Sequence, residues 1–286
     1  MRYTTPVRDE FVVRSRFQRD WIERRALWLL AAIYLGGIGG GLYIVSVLVK
    51  WQLGLLIAVG ITAIMKGGAH LLFLTRPMNF WRIFCRPQTS WISRGIYIVF
   101  LFIIFGLAYY FIGGLTLMLI SVFFAIGLVI YTAFVLLASR PIAFWNSPLL
   151  PILWVSVSLA SGISLTETLH NFFPSQHISN PEFLRVAGPW LVGITAFLIL
   201  VYLAGNFFCS VGAKESVLYL VKGQLAPLFY VGVAFLGITV PLVILICTYF
   251  QILPSSALAV AGICELVGAF ILRYSVLKAG TYAPVV

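Results

Sequence analysis

Three ionisable residues, Lys66, His70 and Glu265, stand in stretches that are otherwise hydrocarbon. A charge or imidazole at membrane depth is expensive, so each is a candidate for chemistry. Lys66 and His70 are four residues apart and share one helical face. Two readings follow. In one, Lys66 and Glu265 neutralise each other across a bundle while His70 bonds a carbonyl. In the other, the three make a proton relay or the polar end of a buried site. Glu167 reads as a solvated carboxylate at a helix end, and Arg273 as a side chain that snorkels to headgroups. Tyr131 lies shortly before Ser139-Arg140-Pro141. A phenol there joins an aromatic belt, bonds a backbone carbonyl, or touches a ligand.

Two other segments bear on such a site. Gly36-Gly37-Ile38-Gly39-Gly40-Gly41 strips one helix of side chains, which admits a close helix neighbour or a flat ligand. Between Thr75 and Gly95 the chain carries Arg76, Arg82, Arg86 and Arg94 with Trp81 and Trp91. That mixture belongs at a membrane–water interface and offers fixed cations and aromatic plates to a partner or a headgroup.

The elements that must position these residues are membrane helices. The chain is 62% hydrophobic and 9% charged, with a mean hydropathy of +1.05, too little polar surface to cover a soluble domain of this length. The fold class is all-α: a polytopic bundle of about eight transmembrane helices with both termini on one side. Apolar runs of roughly 20 residues mark the spans, at 26–49, 53–74, 96–112, 115–138, 149–165, 186–209, 225–250 and 255–277. The third and fifth are short. Residues 1–25 form an amphipathic leader, where Phe11, Phe17, Trp21 and Ile22 among arginines predict a helix lying flat on the bilayer. A bundle then occupies 26–278 and a tail 279–286. The first apolar run is too long for a cleaved signal.

Sixteen basic residues lie toward the side of the N-terminus and only Lys50 and Arg185 toward the other. That excess predicts cytoplasmic termini in a bacterial or archaeal inner membrane. The net charge of +11 is therefore a matter of topology rather than nucleic-acid binding.

Several chemistries fall away. Cys85, Cys209, Cys247 and Cys264 are scattered with no C-x-x-C, which argues against structural zinc, iron–sulfur clusters and c-type haem. A haem b site needs axial ligands inside helices. Only His70 qualifies, since His170 and His177 fall in the loop after the fifth span. No phosphate-binding Gly-Lys-Ser/Thr run and no Gly-x-Ser-x-Gly elbow is present.

The order of motifs resembles a known family. Arg76-Pro77-x-x-Phe80-Trp81-Arg82, then Ser90-Trp91-x-Ser93-x-Gly95, is similar to the membrane subunit of polysulfide reductase and its relatives, the NrfD family. So are the glycine run leading into Leu42-Tyr43, Tyr131-Thr132-Ala133, Pro141 to Pro151 and Ala160-Ser161-Gly162. Gly223-x-Leu225-Ala226-Pro227-x-Phe229, Gly237, Pro241, Arg273-Tyr274 and Ala279-Gly280 complete the series. The resemblance implies a haem-free subunit that binds menaquinone or ubiquinone in the membrane. It also implies a four-cluster iron–sulfur partner wired to a catalytic subunit, often a molybdopterin enzyme. Tyr131 matches the family's quinone-contacting tyrosine, and its spacing to Trp145-Asn146 is kept. Gly36, Gly37, Gly40, Tyr34, His70 and Asn146 are the further expected contacts, and the arginine–tryptophan loop is the expected partner seat. Some relatives carry a histidine just ahead of the glycine run. This chain has Ala31-Ala32-Ile33-Tyr34 there, which leaves His70 or Tyr34 for that role. The alternatives to a quinone-linked subunit are an ion- or proton-conducting transporter using Lys66, His70 and Glu265, or a purely structural anchor.

Overall fold

The computed structural model describes residues 16–173 and 178–282. Phe11 and His177, with the rest of residues 1–15, lie outside them. Eight helices are long and apolar enough to cross a membrane: α1 (Ala26–Leu48), α2 (Gln52–Phe73), α3 (Trp91–Ile112), α4 (Leu115–Leu137), α5 (Leu149–Phe172) and α6 (Pro181–Cys209), then, after a short α7 (Val211–Val221), α8 (Ala226–Tyr249) and α9 (Ala257–Lys278). A two-stranded ribbon joins the ends: β1 (Arg16–Phe17) pairs antiparallel with β2 (Thr281–Tyr282). The Gln18 amide nitrogen donates to the Gly280 carbonyl at 2.8 Å, and the Gln18 side chain donates to the Leu277 carbonyl. Both ends of the described chain therefore meet on one face, the basic face, which also carries the arginine-rich loops.

α1 and α5 form the centre. Burial reaches 72% and 67% of their membrane windows, against 17% for α3 at the periphery. Their contact rests on glycine. A side chain on Gly41 would collide with the Ser158 carbonyl, and one on Gly162 with the Gly41 backbone. Small residues let two helix backbones touch in lipid, where close packing drives association. Phe111, Phe123, Trp190 and Phe197 point outward, as a lipid-facing surface requires.

α2 and α8 are irregular. α2 turns π-helical over Ile61–Lys66, and α8 does so over Phe229–Thr239. Such bulges shift the register of the residues that follow, and they recur at functional sites. Here the first one ends on Lys66.

Four expectations are corrected. The third and fifth helices are full length. Ser90 caps α3 by accepting from the Ser93 amide at 3.3 Å. α5 runs on to Phe172; its hydroxyls at Thr166 and Thr168 find acceptors within the helix, the carbonyls of Gly162 and Ser164 at 2.8 and 2.7 Å, so burying them leaves no donor unpaired. Glu167 and His170 consequently sit within α5, and Glu167 is buried rather than solvated. In the leader, Phe17–Arg25 form strand and turns rather than a helix. Ile22 is buried, and Trp21 meets Trp145 edge-on at 5.3 Å, so this segment packs on protein. Arg273 does not snorkel: it is 1% exposed inside the bundle.

Candidate functional site

Two buried cations flank α1 at consecutive glycines. Lys66 comes from α2 and occupies the space at Gly36, where an added Cβ would stand 2.9 Å from its Nζ. Arg273 comes from α9 and occupies the space at Gly37, together with the Ser158 hydroxyl. Helical side chains lean toward their own N-terminus, and both α2 and α9 run toward the basic face. Each cation is thereby aimed inward from that face, away from headgroups.

The Lys66 centre is sparsely satisfied. Its Nζ donates to the Ala32 carbonyl at 2.9 Å and sits 5.1 Å from the centre of the Tyr131 ring. The side chain is 1% exposed. An ammonium has three donors, and no carboxylate pairs with it among the described residues. Tyr131, 7% exposed, lies flat against Gly95 of α3. His70, one turn beyond Lys66, is half-buried, with Nδ1 3.1 Å from the Lys66 carbonyl. A carbonyl only accepts, so Nδ1 carries the hydrogen and Nε2 is left as an acceptor. His70 thus bonds a carbonyl as one reading expected. The other half of that reading, mutual neutralisation of Lys66 and Glu265, does not occur.

Glu265 belongs to the second centre. Ser161 donates to its Oε1 at 3.2 Å, the Ser164 hydroxyl faces the same carboxyl group, and Oε2 makes no hydrogen bond of good geometry. Arg273 donates through Nη1 to the Ala269 carbonyl at 3.2 Å and through Nη2 to the Ser158 hydroxyl at 3.0 Å. Its guanidinium carbon lies 5.7 Å from the Tyr34 ring and 5.6 Å from that of Trp154. Tyr34 donates to the Leu266 carbonyl at 2.8 Å. The expected contact set therefore divides: Tyr131, Gly36 and His70 accompany Lys66, while Tyr34 and Gly37 accompany Arg273. Gly40 meets Val129 of α4, so the glycine run is filled by protein. Asn146 is exposed at the basic face. Its neighbour Trp145 is fully buried and donates to the Val276 carbonyl at 2.9 Å.

The loop beneath the Lys66 centre is folded back on α3. A 3-10 segment, Pro77–Cys85, is pinned where Phe84 meets Tyr97 and Phe100 at 5.7 Å each, and Tyr97 donates to the Phe84 carbonyl at 3.1 Å. Arg94 donates to the carbonyls of Pro87 and Gln88 at 2.8 and 2.6 Å and covers Trp91 at 4.6 Å. Trp91 in turn stacks on Phe134 of α4 at 4.5 Å. Arg94 and Trp91 thus hold the loop. Arg76, Arg82, Arg86 and Trp81 are exposed, with Arg82 lying 5.7 Å from the Trp81 ring.

Sequence reasoning missed the Arg273 centre and the part played in it by Ser158, Ser161 and Trp154. A signal was present, since an arginine a turn inside an apolar helix has hydroxyl-rich α5 available to it. No group of three or more metal-ligating residues occurs among the described residues.

The protein is thus an eight-span helical bundle with two buried cation centres. The model of the family described as polysulphide reductase, NrfD, matches residues 112–284, and the protein belongs to that family. It is 27% identical to the C subunit of polysulfide reductase from Wolinella succinogenes, over 88% of its own length and 93% of the relative. It is 26% identical to protein NrfD of Escherichia coli K12, over 88% of its own length and 94% of the relative.

Proposed function

We propose that this protein is the quinone-reactive subunit of an inner-membrane oxidoreductase. It exchanges electrons between the quinone pool and an iron–sulfur partner seated on its basic face, which leads to a molybdopterin-type catalytic subunit. Family membership supports the role of membrane anchor in an oxidoreductase complex. The Wolinella succinogenes relative is, by its name, one lettered subunit of a reductase.

The observation that carries the quinone reading is the Lys66 ammonium: buried, free of any carboxylate among the described residues, and bonded to one carbonyl. Leaving two of its hydrogens unmatched in a low-dielectric interior costs free energy. A neutral ligand whose oxygens only accept removes that cost without burying a second charge. Menaquinone or ubiquinone fits this donor set, with an apolar ring for the Tyr131 side and a tail for lipid. When bound, the quinone supplies the two-electron chemistry that the side chains of this protein lack. Lys66 and the Tyr131 hydroxyl hold a carbonyl oxygen. Lys66 also stabilises negative charge on that oxygen through a medium that screens little. His70 Nε2 receives a proton at the edge of the site.

Arg76, Arg82, Arg86 and Trp81 form the partner seat, and the excess of basic residues on that face supports a cytoplasmic orientation. The test is direct. Quinone is extracted from the purified protein and counted, and quinol turnover of the assembled complex is measured in Tyr131→Phe. No co-purifying quinone together with unchanged turnover sinks the reading.

A further inference from the structure

Between the turns that precede α1 and the end of α2 lies a cleft of about 560 Å³. Asp20, Glu23, Arg24 and Arg25 line it on one side, and Phe73 and Leu74 on the other. It opens on the basic face, where α1 begins and α2 ends. Both signs of charge thus stand on one wall and hydrocarbon on the opposite one.

These charges are only partly matched within the protein. Glu23 is engaged by Arg19 at 3.6 Å and by Lys278 at 3.5 Å. Arg25 donates through Nη1 to the Leu74 carbonyl at 3.3 Å, which fixes it across the cleft and leaves the other donors of its fork. Asp20 and Arg24 are exposed and make no ion pair among the described residues. Arg24 also stands at a φ of 56°, one of three non-glycine residues at positive φ among those described. A side chain in that region is strained where glycine would be at ease, and such strain persists only where the surroundings impose it. Here it sets a guanidinium on the wall of the cleft.

The surface beside the cleft is apolar. Leu27 and Trp28 on the first turn of α1 are exposed, as are Leu71 and Leu72 on the last turn of α2. On a membrane helix such side chains meet acyl chains, with tryptophan at headgroup level. An occupant that satisfies the whole site carries a phosphate, an amine and hydrocarbon. Free phosphate meets the cations alone.

We propose that this cleft holds the headgroup of an amine-bearing, zwitterionic phospholipid of the phosphatidylethanolamine class. Arg24 and Arg25 take the phosphate, which suits a forked guanidinium, and Asp20 takes the ammonium. The acyl chains pass Phe73 and run on over Leu27, Trp28, Leu71 and Leu72. A headgroup with no amine leaves Asp20 facing a like charge. The bound lipid ties the leader to the end of α2, alongside the Arg25 bond to Leu74. The site is separate from the Lys66 centre and stands whether or not a quinone binds there.

The experiment is native mass spectrometry of the full-length protein, released from detergent after incubation with equal amounts of phosphatidylethanolamine and phosphatidylglycerol of matched chains. The wild type should retain the ethanolamine lipid in excess. Arg24→Gly relieves the backbone, so its thermal unfolding midpoint should be no lower than that of the wild type. It should nevertheless retain about tenfold less lipid, the effect of losing a charged hydrogen-bond donor. Asp20→Asn should keep lipid but bind the two headgroups alike. Arg140→Ala, at an exposed cation outside the cleft, should change nothing. Inorganic phosphate at the concentration of the lipid should not displace it. The proposal is overturned if the wild type shows no preference, if Asp20→Asn keeps the preference, or if Arg24→Gly retains as much lipid as the wild type. It is equally overturned if Arg140→Ala loses as much lipid as Arg24→Gly. Displacement by inorganic phosphate overturns it in favour of a free anion.

Discussion

Lys66 and Arg273 reach adjacent glycines of α1 from two different helices, yet they live in different circumstances. Arg273 has two hydrogen bonds, two aromatic rings and a nearby carboxylate. Lys66 has one carbonyl and one ring. Burial is the same for both, at 1% exposure, so burial does not separate them. The company of a carboxylate does: Arg273 also keeps a buried Nε without a hydrogen-bond partner, but Glu265 stands beside it, whereas no carboxylate pairs with Lys66 among the described residues. A buried cation beside a buried anion is part of the architecture, and one without an anion is set out for a ligand. The chemistry of the two groups agrees with that division. A guanidinium is planar and forked and suits fixed partners, whereas an ammonium is a compact charge that readily changes them.

The contrast is most severe at Arg273. Arg273→Met leaves Glu265 buried without its cation, and should cost about 3 kcal/mol or more, read as a lowered thermal unfolding midpoint in detergent. Arg273→Lys should recover only part of it. The opposing variant is Lys66→Met, of similar volume. Since Lys66 has no buried anion to strand, its midpoint should stay near that of the wild type. Co-purified quinone should drop about tenfold or more, the cost of losing a charged hydrogen-bond donor. If Lys66→Met unfolds as Arg273→Met does, the two centres are the same kind of feature and the division fails.

Tyr131→Phe is gentler, because one neutral hydroxyl goes and the ring against Gly95 and Lys66 stays. Quinol turnover should fall by roughly five- to tenfold, with the midpoint unmoved. The mildest changes belong to the loop, where the same contrast recurs. Trp81→Ala, at an exposed ring, should weaken binding of the partner subunit by about 1 kcal/mol or somewhat more in a pull-down titration, with no change in the protein itself. Trp91→Ala should instead loosen the loop, seen as faster proteolysis between Arg76 and Arg94, because the Trp91 ring is engaged by Phe134.

Much of this was legible in the sequence. Spans follow from apolar run length alone, because a helix must satisfy its backbone within the bilayer. Five of the eight came within two residues of their observed ends, and the sixth helix starts at Pro181 rather than at 186. The two short ones failed because Trp91-Ile92-Ser93-Arg94-Gly95 and Thr166-Glu167-Thr168 look interfacial by composition. Ser90 caps α3 ahead of the first, and on α5 the hydroxyls of the second are satisfied on the helix's own carbonyls, so both stretches stay helical. α7 and the pairing of β1 with β2 were not read, since a short amphipathic helix and a two-residue ribbon leave too little periodic signal. Of the candidate site, the pairing of Lys66 with His70 on one face was visible, as any i, i+4 relation is.

Sequence alone dictated an eight-span bundle without haem motifs, its charge gathered at one face and a few ionisable groups at depth. Composition and run length suffice for that, because the bilayer imposes the same demand on every span. Which ionisable group meets which was left to tertiary packing. Lys66 and Glu265 were natural partners by charge, but Lys66 packs at Gly36 of α1 while Glu265 meets Ser161 of α5, and no property of either residue says so. The glycine run made room for both cations, while the packing of α2 and α9 around it determined which glycine each reached.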